Sequence, residues 1–287
     1  MKKLFIFLAL LISLQGFGQT VLRSGQTVLT VYDAEQPLHI ETTCEVWLDG
    51  KDDGSFTLDG TSVDQWDDKG ALGADVSNDV DATRPTYDIN TGRVTFTAAN
   101  QTFLQSAVFG SALSQPNTVF VVVKNSVFID YAYIIDLNSA AQVCLLNTES
   151  LGVNWQMYAG AILLGATNIN DNIHTLGFNG VSSEYWINGA SVSVSVGNPG
   201  AGAIDRITLG ARAALTLNAD MELMEVIVFN ADISDVDRDK ITGYLANKWD
   251  ITATSDFKGY VLYEMMWLIL LLIPNIRRKE EEFKIAA

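Results

Sequence analysis

Glu222 and Glu225 are the nearest this chain comes to a carboxylate pair that could share work on one bond. A retaining glycosidase holds its acid and its nucleophile about 5–5.5 Å apart on one surface. In a regular strand, residues three apart point to opposite faces, so Met221-Glu222-Leu223-Met224-Glu225 is expected to split the pair and disfavour that chemistry. No G-x-S-x-G elbow occurs, and the two histidines, His39 and His174, make no case for a Ser-His-Asp site. The chain is therefore expected not to be an enzyme. A second acidic feature lies early, where ten aspartates from Asp49 to Asp81 share their segment with only Lys51 and Lys69 as bases. Hard oxygen ligands on loops suit calcium, which makes Asp49, Asp52, Asp53, Asp67 and Asp68 the candidate metal ligands and calcium the candidate ion. The plainer reading is a set of solvated turns that keep the protein soluble. Asp49 to Gly54 opens like an EF-hand loop, but Lys51 at the third position and Gly60 in place of the bidentate glutamate break that motif.

Sugar recognition uses an exposed aromatic face with nearby amides or carboxylates. Trp155, Tyr158, Tyr185 and Trp186 are the candidates by type, although strand alternation sends about half of such residues into a core. Cys44 and Cys144 permit one disulfide without requiring it, since a cysteine in an apolar run is often a small buried hydrophobe. They form no C-x-x-C pair, so a thiolate metal site is not expected.

These residues must be placed by a fold, and composition limits which one. In 287 residues, 34 Asp and Glu face 18 Lys and Arg, a net charge of −16 that repels polyphosphate and excludes nucleic acid as a partner. Apolar residues at 48% and aromatics at 10% are enough for a sizeable core, so the acidity does not mean disorder. Twenty-two Gly against five Pro, with many Thr, Ser, Val and Asn, favour a turn-rich β protein. At the N-terminus, Lys2 and Lys3, the apolar run Leu4 to Leu14, and Gly16 and Gly18 predict a secretory signal over residues 1–18, cleaved before Gln19. The first cysteine is Cys44, so a lipoprotein is not indicated. At the other end, Tyr260 to Ile276 is apolar apart from Glu264 and Asn275 and runs into Arg277, Arg278 and Lys279. That stop-transfer pattern makes residues 256–287 a candidate membrane anchor with a basic cytoplasmic end; a docking helix or a removed sorting tail is the competing reading. The protein is thus expected to be exported to the periplasm, the cell surface or the medium.

From Cys44 to Phe229 short runs of β-branched, aromatic and aliphatic residues alternate with clusters of Gly, Asn, Asp and Ser, the spacing of a sandwich or barrel. Val192, Val194 and Val196 alternate with serines as a half-solvated strand does. Asn188-Gly189 predicts a type I′ hairpin, which needs positive φ at both residues. One helix is predicted, with Ser234 as cap, Asp235 and Asp237 at its positive end, and Ile241, Leu245 and Trp249 as a stripe that packs on the sheet. Residues 19–40 form a leading segment and 41–255 one domain.

In this order the residues resemble a known family. Trp47-Leu48-Asp49, then Val63-Asp64-Gln65-Trp66-Asp67-Asp68-Lys69, then Thr83-Arg84-Pro85-Thr86-Tyr87 are similar to the opening of laminin-G-like domains of the concanavalin A-like lectin and glucanase group, of bacterial or phage type. Tyr185-Trp186-Ile187-Asn188-Gly189, Leu209-Gly210-Ala211-Arg212, Glu225 to Asn230 and Ile241 to Trp249 resemble that family's later hairpin, last strands and closing helix. The resemblance implies an all-β jelly-roll β-sandwich of two antiparallel sheets with one short closing helix. It also implies structural roles for Trp47 and Trp249 in the core and for Glu225 as a partly buried partner of an arginine or a backbone amide. The E-x-D-x-E run of the group's glucanases is missing. The fold hosts many activities and fixes none. The expected function is a non-catalytic exported recognition module for a glycan or a surface protein. A structural, virion or receptor-binding protein and a glycoside hydrolase with an unrecognised site are the alternatives.

Overall fold

The computed structural model describes residues 19–21, 30–32, 42–148, 154–165, 169–191 and 198–253. The expected signal, the tail from 256 and the serine-valine alternation of 192–196 lie outside them. Within the leading segment, Gln19–Val21 pairs antiparallel with Thr30–Tyr32 in a small sheet of its own.

Among the other described residues the structure is antiparallel β with one α-helix, and seventeen strands are linked by hydrogen bonds into one set. One run of neighbours goes from Glu184–Ile187 through Asp171–Phe178 and Asn117–Val127 to Asp220–Phe229. Along its far edge Asp220–Phe229 holds Cys44–Asp49 beside residues 225–229 and Arg93–Phe96 beside residues 221–223. A second run starts at Ile162–Leu164 and continues through Asn154–Tyr158, Cys144–Thr148, Tyr133–Asp136, Thr208–Leu209 and Leu104–Ser106. It then reaches Val76–Ser77, Ser62–Trp66 and Phe56–Asp59. Both runs give side chains to one large core, among them Val119, Val121, Leu176, Val226 and Val228 from the first and Ile135, Leu145, Trp155, Met157 and Leu209 from the second. This is period-two alternation at work, because the other face of the first run feeds a separate cluster.

That second cluster is where the helix Asp235–Trp249 lies. Ile241, Tyr244, Leu245 and Trp249 pack against Trp47, Phe120, Val122, Ile173, Met224 and Ile227. Ser234 caps the helix by accepting from the Asp237 backbone N–H at 3.2 Å, and Asp250 ends it in the left-handed conformation at φ 57°. The helix and its apolar stripe are thus as the sequence predicts. So is the tight hairpin: Asn188 and Gly189 have φ of 52° and 77° between Ile187 and Ala190.

Cys44 and Cys144 are free thiols, which corrects the possibility of a bridge between them. Cys44 belongs to the cluster beneath the helix, whereas Cys144 sits with Tyr133 and Leu146 in a small cluster formed by the second run. Burial pushes both thiols up, away from the thiolate form.

Candidate functional site

The helix-side face of the first run is apolar under the helix and becomes polar beyond its last turn. Val122 on Asn117–Val127 belongs to the apolar cluster, and Lys124, two residues on, continues the same face. Its neighbour across one edge is Asp171, and across the other Glu222. On the adjoining strand Val94 and Phe96 point into the large core, so Arg93 and Thr95 emerge on the opposite, polar side.

Glu222 reaches this face through an irregularity that the sequence does not announce. Val122 is paired with Glu225, Val123 with Leu223 and Lys124 with Glu222, so Met224 is an extra residue on its strand. A β-bulge of this kind shifts the alternation by one. Glu222 and Glu225 therefore share a face, and the expectation that a spacing of three separates them is corrected.

The two glutamates have different surroundings. Glu225 is 1% exposed beneath the helix, where it accepts from Trp47 Nε1 at 2.8 Å, Trp249 Nε1 at 2.6 Å and Tyr244 Oη at 3.0 Å. Lys248 Nζ lies 2.9 Å from it and also bonds Asp49. Burial pushes the Glu225 carboxyl up and Lys248 opposes that rise. Burial acts the same way on Asp49, but Lys248 and then Lys69 outweigh it and hold that carboxyl below its ordinary range. This buried group fixes the helix to the sheet, with lysine and indole donors in place of the arginine or amide expected for Glu225.

Glu222 is half-buried at the edge of a cleft. Together with Asp88, Thr91, Arg93, Thr95, Lys124, Asn170, Asp171, Asn188 and the residues 250–252 that follow the helix, it lines a cleft of about 830 Å³. Arg93 links two of its carboxylates. Its Nη1 and Nη2 donate to Asp171 at 3.0 and 2.6 Å, and Nη1 also donates to Glu222 at 2.7 Å. Hydrogen bonding to Asp171 holds the guanidinium firmly protonated. Lys124 Nζ bonds the other Glu222 oxygen at 3.2 Å. The turn before Arg93 is set by Asp88, whose side chain accepts from the Asn90 backbone N–H, from Thr91 Oγ1 and from Asn90 Nδ2, which hold its carboxyl below the usual range. Gly92 closes the turn at φ 74°, and a Cβ there would lie 2.7 Å from the Gly50 carbonyl oxygen, so glycine is required on both counts. Among the described residues that line the cleft there is no aromatic ring, and most carry hydrogen-bonding or charged groups.

The aromatic candidates lie elsewhere. Trp155 and Tyr185 are fully buried, which corrects their assignment to an exposed binding face. They enclose His174, whose Nδ1 shares a hydrogen bond of 2.7 Å with Tyr185 Oη and whose ring centroid is 4.2 Å from that of Trp155. Burial lowers the His174 pKa to about 3, so it is a neutral core residue. Trp186 is buried beneath the Arg238 guanidinium, 4.3 Å above its ring. Tyr158 is half-buried against the Tyr133 and Cys144 cluster.

Four of the five metal candidates accept from protein donors. Asp49 and Asp52 bind lysines, and Asp67 accepts from Gln65 Nε2. Asp68 accepts from the backbone N–H groups of Trp47, Gly70 and Ala74. Asp53 opens a short 3₁₀ turn. Among the described residues, no group of three or more His, Cys, Asp or Glu is placed to hold a metal ion, and no helix is long and apolar enough to cross a membrane.

Sequence reasoning missed Arg93, Lys124, Asp171, Asn170, Asn188 and Asp250. The one available signal was a charged side chain within or at the end of an otherwise apolar strand, as Lys124 follows Val119 to Val123.

No protein-family model matches the chain, and no curated protein sequence does. Solved structures similar to it include a Trypanosoma rangeli sialidase, at 13% identity and TM-score 0.44 over 74% of this chain and 34% of that one. The ligand-binding domain of botulinum neurotoxin serotype D, in complex with N-acetylneuraminic acid, is 13% identical with TM-score 0.47, over 72% and 52% of the two chains. A GH54 α-L-arabinofuranosidase is 11% identical with TM-score 0.44, over 68% and 52%. The chain spans about a third to a half of the structures it matches. The expectation that the chain is not an enzyme is withdrawn, because the separation of Glu222 from Glu225 on which it leaned is removed by the bulge at Met224.

Proposed function

We propose that the chain is a carbohydrate-handling domain built on a concanavalin A-like, laminin-G-like sandwich, and that the Arg93 cleft receives the sugar. The observation that carries this reading is the row Asp171, Arg93, Glu222, in which one guanidinium joins two carboxylates on the floor of an open cleft flanked by Asn170, Asn188 and Thr95. Neighbouring hydroxyls of a sugar ring each donate and accept within a few ångströms, and a row of alternating acceptors and donors matches them without an aromatic platform. The activities named for the neighbouring structures belong to longer chains and are not carried over. The reading is tested by titrating the full chain, wild type and Arg93→Ala, against immobilised polysaccharides. Binding that is lost in the variant supports it, and a wild type that binds none overturns it.

A second reading, glycosidic cleavage, is favoured by one distance relation. Asp171 Oδ1 and Glu222 Oε2 accept from the same Nη1, at 3.0 and 2.7 Å, so their separation cannot exceed the sum of those lengths. That limit accommodates the about 5–5.5 Å of a retaining pair. Release of reducing sugar that disappears in both Asp171→Asn and Glu222→Gln supports cleavage. Release that persists in either one rules out this pair as acid and nucleophile.

Export is proposed on the basic, apolar and small-residue pattern of residues 1–18. Recovery of the expressed chain in the cytoplasmic fraction, with residues 1–18 retained, would contradict it.

A further inference from the structure

We infer that the Arg93 cleft takes an uncharged or amino-substituted sugar and turns away acidic ones, an inference that rests on the carbohydrate reading above. The described residues of the cleft include four carboxylates, Asp88, Asp171, Glu222 and Asp250, and two cations, Arg93 and Lys124. Both cations are already ion-paired. Arg93 is bonded to Asp171 through both terminal nitrogens and to Glu222 through one, and Lys124 is bonded to Glu222. Their remaining N–H groups can donate to a hydroxyl, but an acidic sugar would compete with Asp171 and Glu222 for the same positive charge. Its carboxylate would lie beside two others that share the cation.

The remaining two carboxylates work in the same direction. Asp88 is held by neutral donors only, from Asn90 and Thr91. Asp250 takes its place through the left-handed end of the helix, and among the described residues neither it nor Asp88 is ion-paired. Asp88 precedes Arg93, Asp250 follows the helix, and both line the cleft, so a bound ligand meets two carboxylates that no described cation pairs. The whole chain adds to this field with a net charge of −16. An uncharged sugar is indifferent to the field, and an ammonium on an amino sugar is drawn by it and meets open carboxylate acceptors.

The test is a glycan array of matched sets read with the full chain. Each set has one neutral glycan, the same glycan ending in a uronic or sialic acid, and the same glycan with glucosamine in place of N-acetylglucosamine. The neutral and amino members are expected to bind, and the acidic member to bind more weakly by about tenfold or more. The double variant Asp88→Asn, Asp250→Asn is expected to narrow that gap, and 1 M salt to narrow it as well. Acidic members that bind as well as their neutral counterparts, through an interaction that Arg93→Ala abolishes, would overturn the inference and leave the carbohydrate reading intact. An array with no bound member would remove both.

Discussion

Glu222 and Glu225 stand on one face of one strand although three residues apart, because Met224 is an extra residue between the rungs that pair Val122 with Glu225 and Val123 with Leu223. The bulge divides the labour of the strand. On one side Glu225 anchors the helix through Trp47, Trp249, Tyr244 and Lys248; on the other Glu222 opens into the cleft with Arg93 and Lys124. Lys248 and Trp249 are the last helical residues, and Asp250 to Thr252 directly after them form the cleft wall. The anchor therefore sets the wall.

Glu225→Gln should be strongly destabilising. A single amide oxygen cannot serve two indole N–H groups and a tyrosine hydroxyl, and its N–H₂ adds donors where only acceptors are wanted. Lys248 would be left with Asp49 alone, and breaking a buried ion pair costs about 3–5 kcal/mol. Chemical denaturation should show a loss of about 3 kcal/mol or more, where an exposed carboxylate would lose less than one.

Arg93→Ala should harm binding more than folding. Its ion pairs are partly open to solvent, so their loss costs about 1 kcal/mol, read as a few degrees in the melting temperature. Added salt should recover part of that loss by screening Asp171 from Glu222.

How much of this the sequence made legible depends on whether the signal is local. The Ser234 cap with its stripe of Ile241, Leu245 and Trp249, and the Asn188-Gly189 turn, are each written in a few adjacent residues and are found where expected. The cleft is not local: Arg93 meets Asp171 and Glu222 across 78 and 129 residues. A bulge leaves no mark in composition, so the alternation that correctly sorts Val94 from Thr95 fails at Met224. Asp49 and Asp52 hold lysines and Asp68 accepts from backbone N–H groups, and residue type alone does not separate a carboxylate that caps three backbone N–H groups, as Asp68 does, from one free to bind an ion.

Asp136 supplies a pH dependence with a definite sign. It is 1% exposed, and burial raises its pKa to about 6 although the backbone N–H groups of Ala213 and Val143 oppose the rise. Between the unfolded value of about 3.9 and the folded value, the native state binds the extra proton, so this group's contribution falls as pH rises through that window and is flat above it. Asp136→Asn should flatten the dependence of unfolding free energy between about pH 4 and pH 6, by up to about 2–3 kcal/mol.

Cys44 and Cys144 should count as two thiols in a denatured, unreduced sample treated with a thiol reagent, and as none in the native protein, where both are buried. A sample with no titratable thiol after denaturation would mean that they pair.

Whether the Arg93 cleft receives sugar is decided by nuclear magnetic resonance of the isotope-labelled full chain titrated with the tightest-binding neutral oligosaccharide. The largest shifts should fall on the Arg93 side chain and the backbone amides of Asn170, Asp171, Asn188 and Ile251, and Arg93→Ala should remove them. Shifts centred on Tyr158 or on the Asp52 to Asp68 turns, with Arg93 unmoved, would contradict that reading.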